Sequence, residues 1–359
     1  MTDVVRLRYR NQLLAQTPFN DPADVVAHFL AVQAQDYLGA LWAIGLRTRG
    51  ASQGTVEGAL SGGAIVRSWP LRGTLHFVAA ADLRWLLGLL APRVMLRAGH
   101  RLRELAIDAP LIARAADAFA RALEGGHALT REEMRGVLQA AGTDSGGQRG
   151  YHLMWCCALE GVVCLGPRLG KQQTFVLLDE WVAPAPALVR DEALARLARR
   201  YFAAHGPASR RDFAWWSGLG AVDASRALEL TEDLQAERVG DGTLYVADSG
   251  LSRGSGRSPA ARLLPAFDEY LVGYADRSAV LQPAHTRRVN NGGGLLAPTM
   301  TLHARVVGTW KRTLSRQVVR VQARLFDAPS PDDARALEAA AAAYGRFLGL
   351  TSQLELAEA

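Results

Sequence analysis

The chain has 359 residues, 49% of them hydrophobic and 21% charged, with a net charge of +6 and a pI near 9.5. That length calls for two to four cores of ordinary size, and no apolar run reaches the roughly 18–20 residues of a membrane span. The N-terminus lacks the basic-then-apolar order of a signal peptide, and three cysteines without a C-x-x-C pair form neither a disulfide framework nor a zinc pattern, so a cytoplasmic protein without metal is expected.

The first segment with structure in its pattern is "FLAVQAQDYLGALWAIG", residues 29–45. Apolar spacing predicts one helix over 23–32 and a second over 37–46, with Asp36 placed to cap the second. Gln33 continues the buried stripe of the first helix and Gln35 that of the second. On one continuous helix they would point about 200° apart, so they converge only if the chain bends between them. Two amides in an apolar run then either satisfy backbone groups at the junction or share a pocket.

A third helix is expected over 55–60, followed by a hairpin in "AIVRSWPLRGTLHFVA" that turns near 70–73. Arg67, Arg72 and His76 alternate along it with apolar residues. Arginines on such a wing suit a DNA backbone or minor groove, and equally a solvated edge. His76 reads first as a core histidine, with proton handling as the other role.

The middle of the chain repeats this plan twice. "HALTREEMRGVLQAAG" and "HGPASRRDFAWWSGLG" each open on a capping signature, Thr130 with Glu133 and Ser209 with Asp212. Helices are expected before them (111–123 and 190–204) and after them (151–160 and 222–235), each set running into a hairpin. Three helices and a two-stranded wing make a winged helix-turn-helix. The predicted units are 1–108, 109–187 and 188–250.

Beyond a linker, "SGLSRGSGRSP", residues 258–359 read as a β-rich module closed by a helix over Pro331–Leu348. Strands are expected in "ARLLPAF", "EYLVGYA", "TLHARVVGTWKR" and "RQVVRVQARLF". Asp268 and Glu269, as strand neighbours, would face opposite sides and not share a site. Lys311, Arg312 and Arg316, expected on a turn, are candidate phosphate contacts. From 240 to 328 the chain carries twelve Arg/Lys against six Asp/Glu, a surplus that suits a polyanion. The fold class expected is α+β, mainly helical, with three tandem winged helices and this β-rich C-terminal module.

"VQAQD", "VRSWPLRGTLHFV", "HGPASRRDFAWWSGL" and "LLPAFDEYLVGYADR…GTWKR", in this order, resemble the AlkZ-type winged-helix DNA glycosylases. The resemblance implies a monofunctional enzyme that hydrolyses the N-glycosidic bond of N7-alkylated purines, including those in interstrand crosslinks. It implies winged helices that form a concave DNA-binding surface and catalysis by a Gln-x-Gln motif, matched by Gln33 and Gln35. Beside that motif, Asp36, first a cap, is a carboxylate alternative for activating water, and His76 is a candidate for catalytic support or DNA contact. The expected partner is double-stranded DNA carrying alkylated purines or crosslinks, bound by a nucleoid-associated monomer with no cofactor. An N7-alkylated purine is already cationic, so no general acid must protonate it. What remains is to position a water and stabilise an oxocarbenium-like sugar, which oriented neutral amides can do. A non-catalytic winged-helix regulator or damage-binding protein is the alternative; three modules in one chain, able to embrace a duplex without dimerising, favour repair.

Overall fold

The computed structural model describes residues 3–251, 258–290, 292 and 294–357. Helices α1 (Val4–Asn11) and α2 (Pro22–Phe29) lead to a two-residue strand, β1 (Val32–Gln33), then α3 (Tyr37–Gly45), α4 (Gln53–Ser61) and the hairpin β2 (Ile65–Leu71) and β3 (Thr74–Ala79). A 25-residue helix, α5 (Ala80–Glu104), connects to α6 (Ala109–Leu123), β4 (Leu129–Thr130), α7 (Arg131–Ala140), α8 (Arg149–Leu159), β5 (Val163–Leu165), β6 (Thr174–Leu177) and α9 (Leu178–Trp181). Next come α10 (Arg190–His205), α11 (Arg210–Ser217), α12 (Ala221–Glu229) and the hairpin β7 (Gln235–Val239) and β8 (Gly242–Val246). The last part holds β9 (Ala261–Leu264), α13 (Glu269–Val272), α14 (Thr286–Val289), β10 (Thr299–Leu302), β11 (Arg305–Leu314), β12 (Val318–Leu325), α15 (Pro331–Leu348) and β13 (Thr351–Ala357).

Local chemistry explains most of these boundaries. Both expected capping boxes form: Thr130 with Glu133 starts α7 and Ser209 with Asp212 starts α11. Ser330 caps α15, which ends on Gly349 in the left-handed conformation.

Five elements differ from expectation. The first helix stops at Phe29 because Leu30 takes φ 70°, and the chain leaves as strand β1. Residues 230–235 leave the helical path, and Gln235 opens a strand. "EYLVGYA" is no strand: the Asp268 carboxylate accepts the Tyr270 N–H and nucleates the turn α13. "TLHARVVGTWKR" is not one strand: His303 and Ala304, both at positive φ, turn the chain between β10 and β11. The helix over Pro331–Leu348 does not close the chain, since β13 follows it and pairs with β12. Helix α5, read from no local signal, continues through Pro92. An interior proline costs about 3 kcal/mol, but Leu83, Leu86, Leu87, Leu89 and Leu90 are all buried along α5 at ~1.5–3 kcal/mol each, so packing wins.

Two cores result. One gathers α5 to α12 with the β2–β3 hairpin; the other packs α1 to α4 against the C-terminal strands and α15. A six-stranded sheet in the order β1-β3-β2-β5-β6-β4 joins residues 32–79 to residues 129–177, since β2 pairs with β5 at Arg67 and Leu165. A five-stranded sheet, β13-β12-β11-β10-β9, forms the C-terminal module, with β13 parallel to β12. Among the described residues no helix is long and apolar enough to cross a membrane. Most of the expected linker lies outside the described residues.

Candidate active site

Strand β1 sits at the edge of the six-stranded sheet, with Gln33 opposite His76 of β3. This pairing, continued by the Ala34 N–H donating to the Leu75 carbonyl at 2.7 Å, makes the bend that the helix register required. Gln33 is buried and Gln35 is exposed, and the two meet: Nε2 of Gln33 donates to Oε1 of Gln35 at 2.7 Å. The convergence therefore arises from a strand and a loop between the helices, not from inward positions on the helices themselves.

Arg72 decides which way the amides face. Its Nη2 donates to Oε1 of Gln33 at 3.0 Å, and a guanidinium can only donate, so the Gln33 amide nitrogen must face Gln35. Gln35 then accepts on Oε1 and keeps its own Nε2 for a ligand. Each amide oxygen has a second lone pair left for a water or a developing cation.

Arg72 itself is on no solvent-facing wing edge. It occupies the β2–β3 turn with φ 53°, followed by Gly73 with φ 72°, the two positive φ values of a tight hairpin turn. A left-handed arginine is disfavoured. Its guanidinium, which also donates to the Trp216 carbonyl, is held inside the site, where burial lowers its pKa.

A residue that the strand reading of "EYLVGYA" hid completes the site. Glu269, buried at the start of α13, accepts the Gln33 backbone N–H on Oε1 at 3.1 Å. Its Oε2 accepts from Trp216 Nε1 at 2.9 Å and lies 3.1 Å from His205 Nε2. Asp268 turns into a different network, a bidentate pair with buried Arg47 at 2.7 and 2.8 Å. Only the run "FDEY", with a helix-capping Asp before Glu, offered a signal for this arrangement.

The other expected residues take varied places. Asp36 holds the N-cap position of α3 but makes no side-chain cap; its carboxylate instead accepts both contacts of Arg312 Nη2, at 3.0 and 3.1 Å. Arg67 donates through Nε and Nη2 to the carbonyl of Ala34, between the two glutamines, and through Nη1 to Gln173. His76 is fully buried, with Nδ1 at 2.8 Å from the Thr74 carbonyl and Nε2 without a partner. Burial, helped by the Arg72 charge, pushes its pKa down to about 3, so it stays neutral near pH 7 and suits no proton transfer there. Lys311 and Arg312 lie in strand β11 rather than on a turn; Lys311 and Arg316, the latter in the β11–β12 turn, are exposed. No group of three or more His, Cys, Asp or Glu among the described residues could hold a metal ion.

Residues 26–347 match the family model described as DNA glycosylase AlkZ-like. The chain belongs to the AlkZ-like DNA glycosylases. A curated relative from Streptomyces sahachiroi, an interstrand DNA cross-link repair glycosylase, is 26% identical over 366 residues, covering 96% of this chain and 95% of its own. The solved structure of the Streptomyces sahachiroi DNA glycosylase AlkZ matches with a TM-score of 0.82 at 23% identity, over 99% of this chain and 98% of that one, a likeness of fold. The AlkZ-like chain is thus an enzyme, a DNA glycosylase, and the non-catalytic regulator is set aside.

Proposed function

We propose that this glycosylase hydrolyses the N-glycosidic bond of N7-alkylated purines in duplex DNA, including those of interstrand crosslinks, and that Gln33 and Gln35 are its catalytic pair. One observation carries the reading: the convergent groups are two hydrogen-bonded neutral amides, with the nearest histidine held neutral. Neither amide can protonate a leaving group, so the pair suits a base that leaves without protonation. Gln35, exposed and with its Nε2 and one Oε1 lone pair unused, meets the sugar and the attacking water; Gln33, fixed by Arg72 and Glu269, orients Gln35 and adds its carbonyl dipole. Preorganised dipoles of this kind are worth ~10²–10³ in rate.

The helix–helix–helix–hairpin order supports three tandem winged helices over 1–108, 109–187 and 188–250, with the module 258–359 beside them. Exposed Lys311 and Arg316 suit phosphates as position-holding contacts, whereas Arg72 and Arg312 serve the site from within. The enzyme acts as a monomer in the nucleoid. Incubation with duplex DNA containing N7-methylguanine leaves alkali-labile abasic sites, and a crosslinked duplex is unhooked. No cleavage on either substrate, by protein that binds both, would sink the proposal.

A further inference from the structure

Beside the glutamine pair lies a half-open cavity of about 310 Å³, walled by Tyr37 of α3, Arg67 of β2, and Arg168 and Gln173 of the β5–β6 loop. Both arginines gather on one aromatic ring: the Arg168 guanidinium carbon is 4.3 Å from the Tyr37 centroid and that of Arg67 is 5.4 Å. Two like charges brought to one cavity repel. Burial lowers the Arg67 pKa to about 10, and the Arg168 charge pushes in the same direction.

No carboxylate among the described residues forms an ion pair with either guanidinium. Glu57, on the cavity wall, instead accepts from Gln53 at 3.2 Å. Nor are the donors used up. Arg168 gives Nη2 to the Lys171 carbonyl, its Nε is buried without an acceptor, and its Nη1 is left for a ligand. Partly desolvated guanidiniums without an ion-pair partner and with a donor to spare make an anion site, and a guanidinium fork matches the oxygens of a phosphate.

The position of the cavity narrows the anion. Arg67 holds the carbonyl of Ala34, the residue between Gln33 and Gln35, so an anion bound here is tied to the loop that carries the catalytic pair. In a DNA glycosylase the polyanion that reaches this loop is the substrate itself. We propose that the cavity binds one phosphodiester of the lesion-bearing strand, gripped by Arg168 and backed by Arg67, and that this grip sets the register of the damaged nucleotide against Gln33 and Gln35. The inference rests on the glycosylase activity, not on the choice of N7-alkylated purines.

The test couples a protein change to a single phosphate. Lesion duplexes carry one neutral methylphosphonate at each linkage around the lesion in turn, and binding is measured for the wild type, Arg168→Gln and Arg168→Lys. Arg168 is half-buried on a loop, so both variants are expected to fold, which their melting curves check. At one linkage, neutralisation weakens wild-type binding roughly tenfold, Arg168→Gln weakens binding to unmodified DNA by a similar factor, and the two together cost little more than either alone. Arg168→Lys recovers part of the loss. Losses that multiply at every linkage, or wild-type binding by Arg168→Gln, would overturn the proposal without touching the glycosylase reading.

Discussion

The backbone N–H of Gln33 donates to the Glu269 carboxylate at 3.1 Å, joining residues 236 positions apart. The strand that carries Gln33 is two residues long, and the loop that bears the two glutamines is anchored by the C-terminal module through this bond and through Arg312 on Asp36. Glu269→Gln keeps the shape but leaves three facing groups with a single acceptor oxygen. A buried donor left unpaired costs ~1–3 kcal/mol. The single-turnover rate at saturating DNA should fall about 10–100-fold with DNA affinity nearly unchanged, and Trp216→Phe should fall by less. Melting curves separate the roles: a lower melting point with a wild-type rate per folded molecule would mean that Glu269 only stabilises.

The two glutamines should respond differently to truncation. Gln33→Ala strips Arg72 of one of its two acceptors in a buried site and should lower both activity and stability. Gln35 is exposed, and its loss should leave stability within about 0.5 kcal/mol while cutting the rate ~10²–10³-fold. Gln35→Ala is therefore the cleaner catalytic probe. A fully active Gln35→Ala enzyme would remove it from the mechanism.

Asp36 offers a carboxylate alternative for activating water, and its pairing with Arg312 argues against it. Asp36→Asn should keep activity within about fivefold of wild type, well above Gln35→Ala. A loss matching that of Gln35→Ala would make Asp36 the base.

Two histidines give stability a pH dependence that the reaction should lack. Burial lowers His76 to about 3 and His28 to about 4, from 6.5. The unfolded chain thus binds the extra protons, so this stability is complete above about pH 6.5 and is lost as pH falls toward 3–4. Thermal melts should move down over that window, while the single-turnover rate stays level between about pH 6 and 9. A bell-shaped rate profile in that range would reveal an acid or base that neutral amides do not supply.

Salt should report the exposed basic residues. Lys311→Ala and Arg316→Ala should each reduce the slope of log affinity against log salt by about 1, without altering the rate at saturation. An unchanged slope would place both outside the DNA contact.

By itself the sequence determined what short-range physics controls. Capping boxes at Thr130 and Ser209, the turn before Gly73 and the helix ending at Leu348 were legible because each rests on residues a few positions apart, whereas the strand after that helix was not. The pair Gln33 and Gln35 stood out because polar groups interrupt an apolar run, whatever surrounds them. Tertiary structure decided the rest. Helix α5 passes Pro92 only because its leucines are buried, and "EYLVGYA" coils because Asp268 and Glu269 are claimed by Arg47 and by Gln33, His205 and Trp216 from elsewhere in the chain. Arg72 and Arg67 read as surface charges until the fold brought Gln33, the Trp216 carbonyl and the Ala34 carbonyl within reach. The sequence pattern could show which groups were available for bonding. Which of them met depended on contacts across tens to hundreds of residues, and no local pattern encodes those.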